Sequence, residues 1–193
     1  DEEQKTSVEE TKVKKNLLVQ PAKKRNKTKE IRQLIQWETN TLKDSDDPLG
    51  KAIFFLMQNG ASSGLFLNLS VSSSKENHPV FKPLAAIESK QEQQDLWSGM
   101  KWDPKLTTDL WNEFIKGGHL ELAPPGTQTN IYSSRNMTRA ALGTFHNQWL
   151  NLMLVGTLTD CRGILAVFSE KSIVETAKKV LPLLATNVQK KSA

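Results

Sequence analysis

The chain has 193 residues, 26 lysines and arginines against 21 aspartates and glutamates, and a formal charge of +5. A basic balance of this size favours polyanionic partners such as RNA, DNA or an acidic membrane surface. The single cysteine, Cys161, excludes an internal disulfide and with it a small disulfide-stapled secreted scaffold, so a reducing intracellular compartment, cytoplasmic or nuclear, is expected.

Residues 1–11 are acidic and polar, with Asp1, Glu2, Glu3, Glu9 and Glu10. From Lys12 to Arg32 the sign reverses: Lys12, Lys14, Lys15, Lys23, Lys24, Arg25, Lys27, Lys29 and Arg32 stand against Glu30 alone. Leu17, Leu18 and Val19 are the apolar cluster there. So few apolar side chains cannot offset the backbone entropy of ordering, roughly 1–2 kcal/mol per residue. Residues 1–27 are therefore expected to form a disordered arm, and residues 28–193 one compact domain.

Ile31, Leu34 and Ile35, with Trp37 on a neighbouring stripe and Glu38 and Leu42 beyond, predict an N-terminal docking helix. Asp47 as cap and Pro48 at the first position predict a second helix, through Ile53, Phe54, Leu56 and Met57 to Gly60. Leu65, Leu67, Leu69 and Val71 then alternate with Phe66, Asn68, Ser70 and Ser72, the pattern of a strand with one buried face. A polar turn at Ser73 to Asn77 leads to Val80-Phe81, the second half of a hairpin that Pro79 and Pro83 confine to a sheet edge.

Residues 87–101 read as a surface helix ending at Gly99. Asp103-Pro104 opens a helix through Leu106, Leu110, Trp111, Phe114 and Ile115, closed by Gly117-Gly118. His119 to Ala123 is a short strand before the turn Pro124-Pro125-Gly126, and Asn130 to Ser133 is another. Ser134 to His146 is helical in character. Trp149 to Leu158 and Ile164 to Phe168 flank a turn and predict a hairpin. Ser169 is expected to cap a last helix with Ile173, Val174, Ala177, Val180, Leu181 and Leu184 on one face, which Pro182 should kink or end. The expected fold is α+β: a single domain with a small, mainly antiparallel sheet packed by several helices and preceded by the basic arm. No apolar run approaches the roughly 20 residues of a bilayer-spanning helix, so no membrane span is expected.

Chemistry-bearing motifs are sparse. Gly60-Ala61-Ser62-Ser63-Gly64 lacks the Lys-Ser/Thr ending of a phosphate-binding loop and reads as a helix-to-strand turn. His78, His119 and His146 are scattered, and one cysteine cannot anchor a structural zinc site. Asp44, Asp46 and Asp47 lack the glycine and glutamate of a calcium loop. His119 and Glu121 share one face of a strand, read as an exposed face rather than a catalytic pair. The reading is of a protein that is not an enzyme, with no catalytic residue, cofactor or metal.

The basic arm carries the functional expectation. Nine cations in twenty-one residues suit counterion release along a phosphate backbone. Within the domain, Lys101 beside Trp102, with Trp97 nearby, suggests base stacking. Arg135 and Arg139, one helical turn apart, suggest a phosphate grip. Together these predict a nucleic-acid-binding protein, RNA ahead of DNA, of the nucleocapsid or coat type that packages a genome and self-associates as a homo-oligomer. The alternative is a protein–protein interaction subunit of a larger assembly, with the arm as tether.

Overall fold

The computed structural model describes residues 33–71, 79–124, 134–141 and 147–186. In chain order these form β1 (Ile35–Trp37), α1 (Thr39–Leu42), α2 (Pro48–Gln58), β2 (Ala61–Val71), β3 (Pro79–Ile87) and α3 (Gln91–Trp97). A 3₁₀ turn (Pro104–Thr107), α4 (Thr108–Gly117), β4 (His119–Leu122) and α5 (Ser134–Ala141) follow, then β5 (Trp149–Gly156), β6 (Cys161–Ser169) and α6 (Val174–Leu184). The six strands make one sheet in the order β1-β3-β2-β6-β5-β4. β1 runs parallel to β3, and the other neighbours are antiparallel.

Side-chain alternation sorts the apolar residues onto two faces. Leu65, Leu67, Leu152, Ile164, Ala166 and Phe168 meet Trp97, Trp102, Leu110 and Phe114 from α3 to α4. On the other face Phe66, Ile87, Met153, Val155, Leu165 and Val167 meet Ile53 and Leu56 of α2 and Ala177, Val180 and Leu184 of α6. β5 and β6 are covered on both sides, which is why they read as continuous apolar runs rather than alternating ones.

The sheet is not small and not purely antiparallel: it has six strands, is mixed because β1 runs parallel to β3, and carries helices on both faces. Ile35–Trp37 is a strand rather than part of a docking helix; it pairs with Ala85–Ile87 and leaves Ile35 51% exposed while Leu34 is buried. Backbone pairing with a distant segment outweighs a weak helical periodicity here.

β3 is an inner strand along its last three residues. Pro79 and Pro83 are tolerated because the outward backbone groups of Phe81 bond to Trp102 rather than to a strand, at 2.9 and 2.8 Å. Pro83, two residues on, turns its missing N–H to that same side. The register jumps from Leu67 opposite Pro83 to Phe66 opposite Ala85, so Leu84 is bulged out of the ladder.

α3 is shorter than expected and not a pure surface helix, since Trp97 is fully buried and stacks on Phe168 at 5.7 Å. α4 ends at Gly118, whose φ of 67° suits a residue without Cβ. Ser169 does not cap α6. Its hydroxyl donates to the Lys171 carbonyl at 2.7 Å, and the helix starts later, at Val174. Pro182 sits in the last turn, where it removes one i→i−4 hydrogen bond and only two more helical residues follow. The expected arm at 1–27, the remainder of the docking-helix segment to Arg32, the strand at 130–133 and residues 142–146 lie outside the described residues.

Candidate ligand pocket

At one end of the sheet a bulge in β2 brings two serines to different tasks. Ala61 pairs with Ser169 and Ser63 with Phe168, which leaves Ser62 between them unpaired. The Ser62 hydroxyl donates to the Phe168 carbonyl at 3.2 Å. Ser63 instead turns inward; it is 4% exposed and its Oγ has no hydrogen-bond partner among the described residues.

Beside it the chain leaves β3 through Glu88, a non-glycine residue at φ 45°. Such backbone is costly and persists where its surroundings hold it. Here the Glu88 carboxylate accepts the Thr39 N–H at 2.7 Å, and the Glu88 N–H donates to the Trp37 carbonyl at 3.3 Å. Two residues later the Lys90 N–H donates to Gln93 Oε1 at 2.8 Å, fixing the start of α3.

The opposite wall is Gln148, just before β5. Its carbonyl accepts Arg139 Nη2 at 2.5 Å, and its side-chain Oε1 is buried without a partner. Together with Glu92 and Asn147 these residues line a cavity of about 370 Å³. It combines two unpartnered buried polar atoms with two carboxylates and one ammonium. A buried polar atom left unsatisfied costs roughly 1–3 kcal/mol, so two in one cavity form an arrangement that a polar guest would complete.

A second, open groove of about 500 Å³ lies between α2 and α6, with Lys43, Lys51 and Lys179 around Phe54, Phe55, Val180 and Leu183. None of the unpartnered buried atoms lines it. Among the described residues no group of three or more His, Cys, Asp and Glu could hold a metal ion.

The residues singled out from sequence fall elsewhere. Lys12, Lys14, Lys15, Lys23, Lys24, Arg25, Lys27, Lys29 and Arg32 lie outside the described residues. Trp102 is 1% exposed: its indole N–H donates to Thr107 Oγ1 at 3.1 Å, and Phe81, Trp111 and Phe114 pack against its ring. It anchors the core and offers no face to a base, and buried Trp97 offers none either. Lys101, beside it, is exposed.

Arg135 bonds Glu113 at 2.9 Å on the surface. Arg139 is buried and donates to the Leu122 carbonyl at 3.0 Å and to that of Gln148; burial lowers its pKa. The two arginines, one turn apart, thus serve different internal partners and form no phosphate grip. His119 and Glu121 do share a face, but not an open one. His119 Nε2 contacts Asn151 Oδ1 at 2.9 Å, while Glu121 accepts the Ser172 hydroxyl at 2.6 Å and the Ile173 N–H at 2.9 Å. Sequence reasoning missed Ser63, Glu88 and Gln148; only the doublet Ser62-Ser63 marked the spot, and it read as a turn although it lies within β2.

No family model matches the chain, and no curated protein matches it in sequence. Solved structures do match. One is the GAF domain/HD domain protein from Geobacter sulfurreducens, at TM-score 0.50 and 14% identity over 76% of this chain and 91% of that one. Another is the A. aeolicus nlh2 GAF domain in an inactive state, at TM-score 0.39 and 11% identity over 76% and 83%. The expectation of a nucleocapsid- or coat-type RNA-packaging protein is contradicted by this likeness, since the first of these chains is a GAF domain/HD domain protein. What the likeness shows is the fold, a GAF-like α+β arrangement with helices on both faces of a six-stranded mixed sheet.

Proposed function

We propose that this chain is a non-catalytic sensing module that binds one small polar molecule in the cavity between the start of β2, the β3–α3 connection and the start of β5. The observation that carries this reading is the pair Ser63 Oγ and Gln148 Oε1, both buried, both unpartnered and both lining one cavity. A pocket with a few convergent polar groups is the usual form of a small-molecule site. The GAF-like fold is compatible with it. The absence of a nucleophile paired with a base among the cavity's described residues favours binding over turnover.

Glu88 gives the pocket an outlet. Its carboxylate holds the first N–H of α1, so a guest that competes for Glu88 would loosen the start of α1. The single cysteine supports placing such a module in a reducing compartment.

The test is a thermal-melt screen of the full chain against small polar metabolites at millimolar concentration. At least one compound should raise the melting temperature of the wild type and leave Ser63→Ala unmoved. A screen in which no compound shifts the wild type, or in which Ser63→Ala responds equally, overturns the reading.

A further inference from the structure

The cavity's own donors and acceptors narrow the guest. Gln148 Oε1 is a pure acceptor, buried and unpartnered, so the guest must bring an N–H or O–H to it. Ser63 Oγ can donate or accept, and its burial makes an anionic acceptor the stronger match. Around these two atoms the lining carries both signs: Glu88 and Glu92 as carboxylates and Lys90 as an ammonium.

A dicarboxylate would face two like charges, and a simple amine would leave Lys90 unmatched. A quaternary ammonium has no N–H for Gln148, and no aromatic ring lines the cavity to hold one by its face. The volume, about 370 Å³, lies at the low end of small-molecule pockets, which run roughly 300–1,000 Å³.

We propose that the ligand is a free α-amino acid, its primary ammonium held by Gln148 Oε1 with Glu88 and Glu92, and its carboxylate by the Ser63 hydroxyl and Lys90. This rests on the ligand-binding reading above and adds the class of ligand to it. Asn147, Ser62 and Gln93 are the lining residues left to meet the side chain.

The experiment is amide chemical-shift mapping on ¹⁵N-labelled full-length chain. The probes are the standard amino acids one at a time, then trimethylglycine, succinate and glycerol, each at about 10 mM. The expected result is that one or a few amino acids shift the amides of Ser63, Lys90 and Gln148, and that trimethylglycine does not. Lys90→Gln, a surface change that leaves the fold intact, should weaken that binding about tenfold through loss of a charge-assisted contact. Gln148→Leu should abolish it while keeping the dispersed spectrum of the wild type.

Succinate, glycerol or trimethylglycine shifting these amides while amino acids do not would overturn the ligand class and leave the pocket standing. Amino-acid binding that survives both variants would also overturn it. No response to any probe would overturn the ligand class together with the pocket reading.

Discussion

Arg139 Nη2 donates to the carbonyl of Gln148 at 2.5 Å, while Nη1 of the same guanidinium donates to the Leu122 carbonyl at 3.0 Å. One buried cation thus pins α5 to the end of β4 and to the residue that enters β5. It also sets the backbone from which the Gln148 amide reaches the cavity. Replacing it by methionine leaves two carbonyls without their donor. Arg139→Met is expected to destabilise the chain by about 3 kcal/mol. Arg135→Met, one turn away, removes an exposed ion pair with Glu113 and should cost less than about 1 kcal/mol. Urea unfolding of the two variants side by side checks the contrast, and equal losses would refute the role given to Arg139.

Ser63→Ala removes a buried hydroxyl that has no partner. Because nothing is broken, the ligand-free variant should unfold within about 1 kcal/mol of the wild type, or be slightly more stable. Its ligand response should nevertheless vanish. Calorimetric melts with and without the guest separate the two effects, and a loss near 3 kcal/mol in the free protein would show that Ser63 has a structural partner.

Glu121 caps α6 from a strand rather than from the helix's own lead-in, accepting the Ile173 N–H and the Ser172 hydroxyl. Glu121→Ala should lower stability by roughly 1–2 kcal/mol, the range of a lost helix cap. Hydrogen exchange should quicken first at the α6 amides. Exchange that stays unchanged in α6 would show the cap to be idle.

A Cβ on Gly163 would run into the Leu67 carbonyl oxygen across the β2–β6 ladder and come within 2.9 Å of the Phe66 ring. A backbone atom in a paired strand cannot step aside cheaply. Gly163→Ala is expected to cost roughly 1–3 kcal/mol by overpacking, read as a lower urea midpoint.

Burial raises the pKa of the Cys161 thiol; a hydrogen bond with the Gly163 backbone offsets part of this, and the neighbouring Asp160 adds to it. The proton is therefore held more tightly in the folded state. This contribution to stability is full below the thiol's unfolded pKa and is lost as pH rises through the folded one. Alkylation by iodoacetamide should accordingly have its pH midpoint above that of a free cysteine in native protein, and return to the ordinary value in urea. A native midpoint at or below the free-thiol value would contradict this.

What was legible in the sequence was local. Asp47-Pro48 opens α2, Gly118 closes α4, and the apolar runs on either side of residues 157–160 form the β5–β6 hairpin, because caps, turns and periodicity act over a few residues. The pairing of Ile35–Trp37 with β3, the burial of Trp102, the cap that Glu121 supplies to α6 and the grouping of Ser63, Glu88 and Gln148 around one cavity were not. Thr39 and Glu88 are 49 positions apart, and Glu121 and Ile173 are 52. A side chain's local pattern says which face of its own element is apolar. Which distant backbone atom will meet its polar end is decided only when the sheet order brings the two together, and that order determines where a ligand can sit.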